Sequence, residues 1–210
     1  MQGTYTADFR AELQDLMLWR RDVRRFQTSP VEAAVVDRCL AAFCLAPSVG
    51  LSEPWRILRV ESPQARAHAM ANFAAANALA LEGYSGEKAQ IYAGLKLSGM
   101  REAPVHLAVF CDDTTGKGSG LGAESMPETR AYSVVGAITL FWLTARAEGL
   151  GLGWVSILDP ARLAQDLNVP EGWTLIGYLC IGWPETNNTT PELEKLGWER
   201  RAPHLIMETR

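Results

Sequence analysis

Residues 20–25 read Arg-Arg-Asp-Val-Arg-Arg, the densest run of charge in the chain. If the helix that begins near residue 8 continues through them, Arg20 and Arg24 share one face and Arg21 and Arg25 the next, so two guanidinium pairs can converge on one anion. Arginine suits phosphate because its planar fork donates two parallel hydrogen bonds. A solvated helix end, its arginines complementing the C-terminal dipole, explains the same run, and on spacing alone that plainer reading takes precedence. Asp22 lies among these cations, which keep its carboxylate ionised. An exposed salt bridge and a proton acceptor are both open to it, and the salt bridge is the plainer reading.

Two glycine-rich stretches are the other candidates. Gly116–Ala123 contains a nominal G-x-G-x-x-A, but it runs on into Glu124-Ser125-Met126-Pro127 instead of opening a helix, as a dinucleotide fingerprint must. It fails as a P-loop too, with Cys111 where the first glycine belongs. Gly149, Gly151 and Gly153 alternate ahead of Trp154-Val155-Ser156. Such glycines permit close backbone approach to a planar ligand, with Ser156 offering a hydroxyl; a helix cap and a tight turn are the competing reading, and the two stay level. The cysteines at 39, 44, 111 and 180 form no C-x-x-C pair and the histidines at 68, 106 and 204 are scattered, so no metal site is expected and the cysteines read as buried small hydrophobes.

The elements that must position these residues follow from apolar periodicity. The chain has 210 residues, 48% hydrophobic and 21% charged, which suits a single globular domain with a substantial core. A formal charge of −4 argues against nucleic acid as a partner. With neither a long apolar span nor a signal-like start, a soluble cytoplasmic protein is expected. Phe9, Leu13, Leu16 and Met17 lay an apolar stripe on a helix over 8–25. Ser29-Pro30-Val31-Glu32 predicts a capping box for a second helix, stopped at Ala46-Pro47-Ser48-Val49-Gly50. Strands are expected at 55–60, 104–111, 154–158 and 173–182, with helices at 62–82, 85–98, 131–148 and 159–167. The polar loop 112–130 is long enough to be functional. The tail from Pro184 carries few apolar residues and must wrap its own domain or a partner subunit.

Four segments together carry a resemblance: Arg20-Arg21-Asp22-Val23-Arg24; Ala46-Pro47-Ser48-Val49-Gly50 with Pro54-Trp55; Leu97–Pro104; and Arg146–Ser156. In this order the chain resembles the nitroreductase-like flavoproteins over roughly residues 10–200. More narrowly it resembles the 5,6-dimethylbenzimidazole synthase (BluB) family, to which the Asp of the first motif, the Gly-Trp-Val-Ser-Ile run and Pro191–Arg200 are more specific. The resemblance implies an α+β sandwich, a central mostly antiparallel sheet flanked by helices, with FMN at a homodimer interface. It implies that Arg20, Arg21 and Arg24, with Asp22 and Val23 among them, hold the FMN phosphate and ribityl tail. Ser48 and Leu97 then contact the flavin, Val155 and Ser156 approach its ring, and residues 72–99 form a lid.

In that family bound reduced FMN is the substrate. It meets dioxygen and is contracted to dimethylbenzimidazole, the lower ligand of cobalamin, with erythrose 4-phosphate released. Asp22 is then the proton shuttle and Ser156 orients oxygen or the flavin. NAD(P)H serves indirectly, through a separate flavin reductase. Glu53, Arg56 and Arg130 depart from the family pattern and add charge near the expected site. An NAD(P)H-dependent nitroreductase or flavin reductase is the alternative, disfavoured by the lid and by Asp22. A flavin-sequestering protein without chemistry is a third reading, and it predicts indifference to Asp22→Asn.

Overall fold

The computed structural model describes residues 3–210. Four strands, β1 (Trp55–Arg59), β2 (Val105–Asp112), β3 (Gly151–Val155) and β4 (Trp173–Gly182), form one antiparallel sheet in the order β1-β2-β4-β3. Helices α1 (Ala7–Trp19), α2 (Ala33–Leu40), α3 (Pro63–Glu82), α4 (Gly86–Gly94), α5 (Thr129–Ala147), α6 (Pro160–Asp166) and α7 (Glu192–Lys195) surround it. This is the sandwich the sequence led us to expect.

Strand alternation divides the core between the two faces. Leu107, Val109 and Cys111 of β2, with Leu179 and Ile181 of β4, pack under α5 through Val134, Ile138 and Phe141. Ala108 and Phe110, with Tyr178 and Cys180, point the other way onto Phe26, Ala69, Met100 and Leu163. Burying each large side chain here is worth about 1.5–3 kcal/mol. Helix α5 ends where Gly149 takes a positive φ of 85° and Leu150 N–H returns to the Ala145 carbonyl at 2.9 Å.

Several sequence expectations need correction. Helix α1 stops at Trp19, not Arg25, because Arg20 is extended (φ −71°, ψ 111°) and the chain turns to lie along β3, with Val23 N–H on the Leu152 carbonyl at 2.9 Å. The Ser29 capping box does not form; α2 starts two residues beyond Val31 with Glu32 at its N-cap, which makes no side-chain cap bond. Helix α4 ends at Gly94, and the last expected strand before α6 lies earlier, so that Gly151 and Gly153 are inside β3. Of the four cysteines Cys44 is exposed, the other three buried. The α1 stripe is left largely uncovered within the chain: none of its residues is buried, Leu16 is half-buried, and Phe9, Leu13 and Met17 are exposed.

One buried polar pair sets a pH dependence. His106, 2% exposed, donates from Nε2 to the Ala103 carbonyl at 3.1 Å, and its Nδ1 accepts from the Tyr178 hydroxyl at 2.8 Å. Burial, aided by the charge of Arg66, lowers its pKa from 6.5 to about 4. In the unfolded chain the imidazole protonates near pH 6.5, while the fold holds it neutral. Stability fully present above that pH is therefore lost as pH falls to about 4, by roughly 3 kcal/mol in all. Denaturant unfolding at steps from pH 7 to pH 4 should trace this loss. His106→Gln should be less stable at pH 7 and flatter across the same window.

Candidate functional site

Extended backbone from Arg20 to Phe26 builds the site. Released from the helix, Arg20, Arg21, Asp22 and Arg24 all come to line one pocket. This replaces the helical pairing read from the sequence. The segment is held from both ends: Asp22 bridges to Leu152 of β3, and Phe26 to Pro184 of the tail. Asp22 Oδ1 accepts from Trp154 N–H at 2.9 Å, and Oδ2 accepts from Arg24 Nε at 2.7 Å. Its carboxylate is thereby fixed on the backbone of β3, two residues before Ser156.

The alternating glycines of β3 serve this contact. A Cβ on Gly153 would stand 2.2 Å from the Val23 carbonyl oxygen, and one on Gly151 would stand 2.9 Å from a Val23 methyl. Their lack of side chains admits the chain's own residues 22–24, a use that neither reading of the sequence named, while Gly149 ends α5 as the cap reading had it.

Arg20, Arg21, Asp22 and Arg24 line a pocket of about 160 Å³ together with Pro191, Glu192, Leu193 and Arg201 of the tail. Asp22 is taken by Arg24, and Glu192 faces Arg25 at 3.4 Å. Among the described residues Arg20, Arg21 and Arg201 have no carboxylate partner. Arg20 lies over the Trp142 ring at 4.6 Å, and Arg21 donates from Nε to the Thr189 carbonyl at 2.6 Å. Burial first, then the charge of Arg201, lowers the pKa of Arg20 and of Arg21, with Asp22 offsetting part of this at Arg20. A dianion with several acceptor oxygens, such as a phosphomonoester, fits this donor set in charge and in geometry. A larger cavity of about 240 Å³ shares Arg21, Asp22 and Arg24 with it and extends along Trp19, Trp142 and the tail.

The other expected residues are distributed as follows. Val23 is the anchor of the segment on β3. Val155 is buried at the end of that strand and Ser156 is exposed just after it. Leu97 follows Lys96, whose carbonyl accepts from Arg24 Nη1 at 3.4 Å, so the return from α4 touches the site. Ser48 is not part of this cluster: its Oγ accepts from Glu53 N–H at 3.1 Å, in a turn beside the start of α5 where Ser133 Oγ holds Val49 N–H at 3.0 Å. The glycine-rich loop braces that turn, a Cβ on Gly118 being 2.4 Å from the Gly50 carbonyl oxygen. Two of the three departures from the family pattern are absorbed locally, Glu53 by Lys117 and Arg56 by Asp112 at 2.7 Å. Sequence reading missed Arg201. The run Trp198-Glu199-Arg200-Arg201 was a visible signal, since two adjacent arginines stand within a tail that carries few apolar residues.

The fold and the arginine pocket define a class. The profile of the nitroreductase family matches residues 17–183, and the chain belongs to that family. A solved iodotyrosine deiodinase bound to FMN and 3-iodo-L-tyrosine shares the fold, with a TM-score of 0.72 and 21% identity over 94% of this chain and 97% of that one. Two sequence relatives are more specific, both named 5,6-dimethylbenzimidazole synthase. The protein from Rhodospirillum rubrum is 50% identical over 203 residues, covering 97% of this chain and 96% of its own. One from Rhodobacter capsulatus is 48% identical over 194 residues, covering 92% and 94%.

Proposed function

We propose that this chain binds FMN and is an enzyme of the oxidoreductase kind, a 5,6-dimethylbenzimidazole synthase for which the reduced flavin is substrate. The observation that carries the reading is the trio Arg20, Arg21 and Arg201, without carboxylate partners among the described residues, beside a carboxylate fixed on β3. The two synthase relatives, near half identical over almost the whole chain, favour this activity over a turnover nitroreductase. Reduced FMN, when bound, supplies with dioxygen the chemistry that yields dimethylbenzimidazole and erythrose 4-phosphate.

The chain's residues supply position and proton handling. Arg20, Arg21, Arg24 and Arg201 hold the phosphate. Each Asp22 oxygen spends one lone pair, on Trp154 N–H or on Arg24, and keeps another for a ribityl hydroxyl proton. Ser156, exposed at the end of β3, is placed to donate a hydrogen bond to a group facing that strand end. Leu97 and the helical arm of α3 and α4 exclude water. Ser48 acts on the flavin of a second copy. The unburied stripe of α1 and the exposed Leu45 and Leu51 on either side of Ser48 support a homodimer that covers them.

The test is a single turnover. Protein loaded with FMN is reduced without oxygen, air is admitted, and products are read by mass spectrometry. Dimethylbenzimidazole with loss of flavin absorbance is expected. Quantitative return of intact oxidised FMN would overturn the synthase reading and point to nitroaromatic or quinone acceptors.

A further inference from the structure

The C-terminal tail touches two parts of the molecule at once. Its Arg201 lines the anion pocket. Three residues earlier, Trp198 meets the arm formed by α3 and α4. The Trp198 ring stands edge-on to Tyr84 at 5.3 Å and 6.1 Å from Tyr92, and the two tyrosines stack at 4.8 Å. Lys88 lies over the indole at 4.5 Å and donates to the Trp198 carbonyl. The Tyr92 hydroxyl donates to Asn77 Oδ1 at 2.9 Å, which ties this clasp back to α3.

The first turns of α3 are seated by Arg66, Ala69 and Phe73, and beyond them the arm has little to hold it down. Asn72 is buried and exchanges two hydrogen bonds with the Asp159 backbone, at 2.9 and 2.8 Å. Between Asn72 and Tyr92 no residue is buried. Such a segment opens at low cost, so a cluster of aromatic contacts weighs heavily in its equilibrium.

We propose that Trp198 is a positioning residue that makes closure of the α3–α4 arm conditional on the phosphate held by Arg201, so that the site selects FMN over riboflavin. This rests on the pocket's being the FMN phosphate site. Without an anion, Arg201 is repelled by Arg20 and Arg21, and it sits on an exposed tail that can yield. With a dianion between them the repulsion becomes attraction and Arg201 is drawn in. Three residue steps span at most about 10 Å of chain, so Trp198 cannot stay indifferent to where Arg201 goes.

By linkage, phosphate and closed arm strengthen each other by one factor, here expected at about tenfold. Hydrogen–deuterium exchange of peptides within residues 83–95 reads the arm, and titration of FMN, riboflavin and inorganic phosphate reads the pocket. In the unmodified protein FMN and inorganic phosphate should slow arm exchange, and riboflavin should not. Trp198→Ala should lose that protection and weaken FMN about tenfold while leaving riboflavin affinity unchanged. Trp198→Phe keeps an aromatic wedge and should restore most of both effects, which guards against general misfolding. Equal loss of FMN and riboflavin affinity in Trp198→Ala, or undiminished protection by FMN, would overturn the proposal. Failure of the FMN reading looks different: FMN does not bind the unmodified protein, yet inorganic phosphate still slows the arm through Trp198. Absence of any phosphate effect on the arm would remove the coupling itself.

Discussion

Asp22→Asn should abolish dimethylbenzimidazole formation while FMN still binds at least as tightly as before. Asparagine keeps an oxygen for Trp154 N–H, so the tether at 2.9 Å to β3 survives. What it loses is the oxygen facing Arg24 at 2.7 Å, where its amide would set a donor against a donor. The Arg24–Asp22 pair is partly exposed, with side-chain exposures of 15% and 32%, so the stability cost is modest, about 1 kcal/mol. Removing a negative charge from among Arg20, Arg21, Arg24 and Arg201 favours an anion in their pocket. The amide cannot accept a proton at neutral pH, and a positioned general base contributes about 10²–10⁴ in rate. Flavin titration beside the single-turnover assay separates the two effects. Product at the unmodified rate would leave Asp22 with a purely structural task, and loss of FMN binding would show that the tether had failed.

The two central strands were legible in the sequence because they are long, largely apolar runs with clear ends, whereas β3 lies three residues earlier than expected. Strand β4 has the bounds 173–182 expected from periodicity, and β2 differs by one residue at each end. Helices with local stop signals were equally clear: Ser62 caps α3 through Ala65 N–H at 3.1 Å, and Asp159 caps α6 through Arg162 N–H at 3.1 Å. The site was legible in composition but not in conformation. Arginine and aspartate propensities do not stop α1 at Trp19; a bond between residues 132 apart in sequence, Asp22 to Trp154, fixes the segment that follows it. For the same reason Gly151 and Gly153 could be noticed without their partner being known, because the partner is Val23. Arg201 shows the converse. Its motif was visible, but its role depends on a tail whose path is set by Thr189 on Arg21 and Trp198 on the arm.

Because those glycines accept the chain's own backbone, adding a methyl group to each should fail in different ways. At Gly153 the new carbon would lie 2.2 Å from the Val23 carbonyl oxygen, well inside contact. The oxygen cannot retreat alone: Val23 N–H is bound to Leu152 and Asp22 to Trp154, so the whole segment must leave β3. Gly153→Ala should therefore cost about 3 kcal/mol or more and weaken FMN at least tenfold, since Asp22 and Arg24 move with the segment. At Gly151 the conflict is with the Val23 side chain at 2.9–3.0 Å, where Cγ2 and Cγ1 take part and the backbone does not. Gly151→Ala should cost about 1–2 kcal/mol, and Val23→Ala in the same chain should recover part of it by removing both methyls. The same second substitution should do nothing for Gly153→Ala, whose obstacle is backbone. Denaturant unfolding of the two singles and the two doubles gives both coupling energies. Recovery in the Gly153 pair, or none in the Gly151 pair, would mean that these glycines are kept for something other than residues 22–24, and the planar ligand would again be the reason for them.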